Sequence, residues 1–156
     1  MAKAAASAYI DAAPPQVWAF INNLQRKPEY VHFVREVFNI SSHPVREGTV
    51  YRERARFGPR ESVSEWRFTQ FDPPKRQVQR SQSREMDATF TANLQPEGSG
   101  TRLTVEMDVR LLPVLRPVGW ILEQLIVRRK MQGDVELTLK TLKQIVEAEK
   151  EEIHSR

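Results

Sequence analysis

"TVYRERARFGPRESVSEWRFTQF", residues 49–71, reads as two antiparallel strands joined at Gly58-Pro59. A two-residue loop there pairs Phe57 with Arg60, Arg56 with Glu61, Arg54 with Val63 and Arg52 with Glu65. Side chains alternate between the faces of a strand, so this register sorts the residues into two sets. One face carries Arg52, Arg54 and Arg56 opposite Glu61 and Glu65. The other carries Tyr51, Glu53, Ala55 and Phe57 opposite Ser62, Ser64 and Trp66, with Phe68 further along. A slip of one residue would exchange the faces, and the clean separation of aromatics from charge pairs supports the register as written. The arginine row could serve as an anion site. The opposing glutamates favour a solvated face of cross-strand ion pairs, each worth about 0.2–1 kcal/mol. The aromatic face is the concave one, and Glu53 sits on it.

Strand texture continues on both sides of this hairpin. Further strands are expected near 35–41, 76–83, 86–95 and 101–112, with the hairpin arms at 48–57 and 60–71. The breaks "SSHPVREG", "FGPRE", "FDPPKR", "SRE" and "PEGSG" are turn signals. Connections this short suit an antiparallel meander, since parallel crossovers need a dozen or more residues. Residues 3–11 form a first strand, and "APPQVWAFINNL" (13–24) a short helix with two prolines in its first turn. "RKPEYVHFV" is a second short helix or an irregular turn. Residues 115–146 read as one long helix. The predicted architecture is α+β, a seven-stranded curved antiparallel sheet around a long C-terminal helix, with two short helices after the first strand. One domain over 1–149 is expected, followed by a charged tail at 150–156.

Three stretches carry a family resemblance. "AYIDAAPPQVWAFINNLQRKPEYVHFVREV" resembles the opening strand, proline-started helix and aromatic turn of the START, Bet v 1 and polyketide-cyclase (SRPBCC) superfamily. "FTQFDPPKRQVQRS" resembles its strand, Asp-Pro-Pro turn and next strand, and "GSGTRLTVEMDVRL" its entry into the last strand. The resemblance spans nearly the whole chain and implies the helix-grip fold, with a ligand gap between sheet and helix. It carries no catalytic motif. The superfamily includes lipid and sterol carriers, quinone-binding proteins and aromatase/cyclases, so the fold alone does not select a chemistry.

Parity extends the concave face. Ala88, Phe90, Ala92 and Leu94 alternate with polar residues, as do Leu103, Val105, Met107, Val109 and Leu111. In "RQVQRSQS", placing Val78 inward also turns Arg80 and Gln82 inward. Glu53 and Arg80 then become the two charges of the interior, which must be paired or shifted in pKa. They form a structural ion pair, or Arg80 reaches solvent at the mouth of the gap, or the two make a polar site that orients a ligand head or moves a proton. Tyr30, His32 and Phe33 are placed at the entrance. In the long helix, Val135, Leu139, Leu142 and Val146 share one stripe, which rotates in the N-terminal half around Val118, Ile121, Leu122 and Leu125. Gln124 and Arg128 lie beside Ile121, facing either the gap or, if Gly133 kinks the helix, solvent. The expected ligand-binding set is Trp18, Tyr30, Phe33, Tyr51, Glu53, Trp66, Phe68, Arg80, Phe90, Met107, Ile121, Gln124, Leu125 and Arg128, with Glu53 and Arg80 as the catalytic candidates.

Composition narrows the function classes. The chain of 156 residues has no cysteine, and its three histidines are isolated, so neither a metal site nor a bound cofactor is expected. Twenty-four Lys and Arg stand against 20 Asp and Glu, a net charge of +4. These cations are interleaved with acids, and no helix-turn-helix, zinc or RNA-binding motif accompanies them, so no nucleic-acid partner is expected. No stretch approaches the roughly 18 apolar residues of a membrane span, and the N-terminus fails as a secretory signal. A cytoplasmic protein, monomer or homodimer, is expected. The leading expectation is a binding module for a hydrophobic or amphipathic small molecule of polyketide, lipid or isoprenoid type. The alternatives are a polyketide cyclase/dehydratase acting by positioning and acid–base catalysis, or a coenzyme Q-binding protein.

Overall fold

The computed structural model describes residues 2–84, 86–111 and 120–155, by backbone alone at 111 and 120–124. Its elements are β1 (Ala2–Ile10), α1 (Pro14–Ile21), a 3-10 segment (Leu24–Glu29), β2 (Val34–Phe38), β3 (Val50–Phe57), β4 (Arg60–Asp72), β5 (Arg76–Gln82), β6 (Met86–Glu97), β7 (Gly100–Leu111) and α2 (Trp120–His154). The seven strands form one curled antiparallel sheet in the order β1-β7-β6-β5-β4-β3-β2. Successive strands from β2 to β7 are neighbours, as the short connections require.

The hairpin register is the one expected: Phe57 faces Arg60, Arg56 faces Glu61, Arg54 faces Val63 and Arg52 faces Glu65. Gly58 at φ 61° takes the first position of the tight turn, a left-handed conformation that Gly adopts without a Cβ penalty. On the outer face Arg52 lies 3.6 Å from Glu65, and Arg54 is bonded to Glu36 and lies 3.9 Å from Glu61.

One strand departs from expectation. Gln77, Gln79 and Ser81 of β5 are buried on the concave face, while Arg80 and Gln82 point outward. A bulge between Phe68 and Gln70 of β4 turns both Phe68 and Phe71 inward, opposite Gln79 and Gln77. Arg80 therefore stands among outer-face residues, between Arg67 and Thr89. There it bonds Asp87 at 2.9 Å, its side chain 47% exposed. Water and a carboxylate satisfy that guanidinium, whereas the inner face would have required a buried partner.

The chain passes from one edge strand, β1, to the other, β2, through α1 and the 3-10 segment. α1 buries Val17, Trp18, Phe20 and Ile21, and ends where Asn22 Nδ2 donates to the Trp18 carbonyl at 3.0 Å. α2 packs along β1, one edge of the sheet. Gln132 bonds both the Ala5 carbonyl (2.8 Å) and the Ala5 amide (3.2 Å), and Lys143 donates to the Tyr9 carbonyl at 2.6 Å. These bonds satisfy backbone groups that an edge strand leaves free. On its other flank α2 meets the crossing segment through Arg26–Glu149 at 2.5 Å and His32–Asp134 at 3.4 Å. The inward stripe is Val135, Leu139, Leu142 and Val146, all buried as expected. The helix continues through His154, so residues 150–154 are helical.

Candidate functional site

The concave face carries a polar cluster set into apolar walls. Glu53, on β3, is 4% exposed and lies between Tyr51 and Ala55, themselves buried. Its partner is Lys27 of the 3-10 segment, whose Nζ donates to Glu53 Oε2 at 2.6 Å and to the Tyr51 hydroxyl at 3.2 Å. Tyr51, fully buried, donates in turn to Gln79 Oε1 on β5. The ammonium also lies 5.3 Å from the ring centroid of Tyr51 and 5.6 Å from that of Trp66, both within cation–π range. Trp66 donates its indole N–H to Ser64 at 3.1 Å.

Lys27 and Tyr51 are both held in their protonated forms. Burial by itself would pull Lys27 toward the neutral amine. The adjoining Glu53 carboxylate outweighs that effect and holds the ammonium above the ordinary lysine range. Burial pushes the Tyr51 hydroxyl well above its usual value, against the opposing pull of Lys27. Tyr30, buried nearby, is pushed up to about 12, again chiefly by desolvation.

The structure brings Tyr51, Glu53, Trp66 and Phe68 together, as parity required, with Phe68 and Tyr51 rings 5.9 Å apart. Phe90 and Met107 face each other across β6 and β7 on the same concave surface, partly exposed. Phe33 stacks on Phe57 at 5.1 Å, at the hairpin end of the interior. Trp18 packs on Phe71 at 5.0 Å, beneath α1, and Tyr30 on Phe20 at 5.3 Å. Arg80 is on the opposite face and takes no part; the expected Glu53–Arg80 pair is replaced by Glu53–Lys27. The side chains of Ile121 and Gln124 lie outside what the structure describes. Leu125 is 54% exposed, and Arg128 is exposed although it lies two turns before Val135 on the same inward stripe. The inner face of α2 is thus sealed in its C-terminal half and open to solvent near Arg128.

Lys27 and Gln79 escaped the sequence reading. A signal for Lys27 existed: an inward Glu53 demands a cation, and the crossing segment "RKPEY" is the layer that covers β3. Nothing in the β5 sequence marked Gln79, since an apolar Val78 beside two glutamines points to the other parity.

A curled antiparallel sheet closed by a long helix, with a charged cluster inside apolar walls, defines a helix-grip protein. The chain belongs to the polyketide cyclase / dehydrase and lipid transport family, whose sequence profile matches residues 1–147. Its fold is similar to that of a protein from Thermus thermophilus, at 26% identity and TM-score 0.74, over 94% of this chain and 97% of that one. A START superfamily protein from Mycobacterium smegmatis matches at 14% identity and TM-score 0.73, over 94% and 97% of the two chains. The di-domain ARO/CYC StfQ of the steffimycin biosynthetic pathway matches at 11% identity and TM-score 0.76; 94% of this chain aligns with 51% of that one. No curated protein matches the chain. No described helix is long and apolar enough to cross a membrane.

Proposed function

We propose that this protein binds a hydrophobic or amphipathic small molecule between the sheet and α2, as a cytoplasmic carrier or receptor. The apolar body lies against Phe33, Phe90 and Met107, and the polar head meets the Lys27–Glu53–Tyr51–Gln79 cluster. The observation that carries this reading is the pairing of two environments on one concave face. A buried ion pair and its relay lie among aromatics, while neighbouring apolar residues stay partly exposed where a filled core would cover them. Apolar walls supply most of the affinity of such a site and a few polar groups set orientation. The family's description, cyclase/dehydrase and lipid transport, agrees with a water-poor ligand.

Binding is favoured over acid–base turnover through Lys27 or Tyr51 by the state of those two groups. A general acid or base works best with a pKa near the operating pH. Lys27 and Tyr51 are both held in their protonated forms, above that range. Native mass spectrometry of protein purified from its own cells tests the proposal, with a co-purifying hydrophobic molecule expected. Apo protein alone, with no thermal shift from quinones, fatty acids, isoprenoids or aromatic polyketides, refutes it.

A further inference from the structure

The hydrogen bonds of the cluster run in one direction. An ammonium can only donate, and Lys27 donates to Glu53 and to the Tyr51 oxygen. Tyr51 has one O–H, and it goes onward to Gln79 Oε1. An amide whose oxygen faces the tyrosine turns its nitrogen away, so the relay sets which way Gln79 points. Gln79 Nε2 has no acceptor among the described residues. The only side-chain atoms there that are sealed from solvent without a partner are Asn22 Oδ1 and Gln77 Oε1. Gln79 Nε2 is therefore unpartnered without being sealed. Gln79 lies on the concave face, with Phe68 and Phe90 as its cross-strand neighbours.

We infer that Gln79 sets ligand selectivity: its amide N–H groups receive a neutral acceptor, a ketone, quinone or amide carbonyl, and a carboxylate is disfavoured in the same place. This rests on the interior being the ligand site. Lys27 is the cation of the cluster, and Glu53 at 2.6 Å already neutralises it. A second carboxylate would leave water without a counter-charge and would approach the Glu53 carboxylate as well. A neutral carbonyl meets neither obstacle and needs only the donors that Gln79 offers.

Two matched pairs test this on the full chain by titration calorimetry near pH 8: naphthoquinone against naphthoate, and a long-chain methyl ketone against the fatty acid of equal length. The neutral member of each pair is expected to bind about tenfold tighter or more, about 1.4 kcal/mol. Gln79→Leu is expected to lower affinity for the neutral member about tenfold and leave the acid's affinity unchanged, narrowing the discrimination. Gln79→Met, closer in shape, serves should the leucine variant fail to fold, and the wild-type comparison stands without either. Acids binding as tightly as their neutral partners, or variants retaining full discrimination, overturn the inference while leaving the ligand site intact. If no member of either pair binds the wild type, the site and the inference fall together.

Discussion

Glu53→Gln separates a charge pair that the structure cannot easily replace. The carboxylate and ammonium are 2.6 Å apart, with side chains 5% and 19% exposed. At an effective dielectric of about 20, their attraction is about 6 kcal/mol, most of it offset by the desolvation of both groups. Removing one partner leaves the other charge buried, which typically costs about 3–5 kcal/mol. Lys27 keeps some access to water and the new amide still accepts a hydrogen bond, so about 3 kcal/mol is expected, a large share of a typical stability of about 5–15 kcal/mol. In Lys27→Met/Glu53→Gln both charges are gone, and most of the loss should return. The double-mutant cycle should then give a coupling of about 2 kcal/mol or more in urea unfolding. The pH dependence carries a sign. In the wild type the folded pKa of Lys27 lies above its unfolded value of about 10.4, so the pair's contribution is complete below that value and is lost only as pH rises through the folded pKa. In Glu53→Gln, burial is the main remaining influence and draws the folded pKa below the unfolded one. Between those two values the unfolded chain binds more protons, and the variant's stability rises with pH. Its deficit against wild type should therefore narrow as pH rises toward the unfolded value of about 10.4. Single losses below about 1 kcal/mol that simply add in the double variant would refute a coupled buried pair.

Other changes probe the rest of the frame. Gln77→Met removes a sealed amide oxygen that has no partner, so stability should rise by about 1 kcal/mol in urea unfolding, and a comparable loss would contradict that accounting. Leu142→Ala, on the buried stripe of α2, should cost about 3 kcal/mol, while Leu125→Ala, on the open half, should stay within about 0.5 kcal/mol of wild type. Equal costs at the two sites would mean that the helix is seated along its whole length. Gly100→Ala would put a Cβ 2.5 Å from the Ile10 carbonyl and the Tyr9 hydroxyl, with an expected loss of about 1–3 kcal/mol in thermal unfolding. Arg80→Ala, on the outer face, should leave naphthoquinone affinity unchanged; a clear drop would return that arginine to the site.

The parts of this molecule that could be read from the chain are those where hydrophobicity and geometry agree locally. The β3–β4 register followed from one Gly-Pro turn and from the fact that a slip would bury three arginines. Val135, Leu139, Leu142 and Val146 announced the seated face of α2 by spacing alone. β5 resisted because its inner face is Gln77, Gln79 and Ser81, so polarity gave the parity with the wrong sign. The deciding feature was the bulge after Phe68 in the neighbouring strand, which no pattern in β5 reports.

The misplaced Arg80 and the missed Lys27 share one cause. Burying Glu53 created a demand for a cation, and that demand is indifferent to sequence distance. Arg80, a strand residue of the same sheet, was a plausible donor only while β5 parity was open. Once β5 turns its amides inward, a cation must come from the layer that closes the curl, and Lys27 is supplied there by the segment linking the two edge strands. That segment is itself tied to α2 through Arg26–Glu149 and His32–Asp134. The position of Lys27 thus depends on the closure of the whole grip, sheet edge to helix to crossing segment. For the same reason Arg128 can lie on the inward stripe and still reach solvent. Among the described residues the bonds from α2 to β1 run from Gln132 toward the C-terminus, and Leu125, Arg128 and Arg129, nearer its start, are exposed.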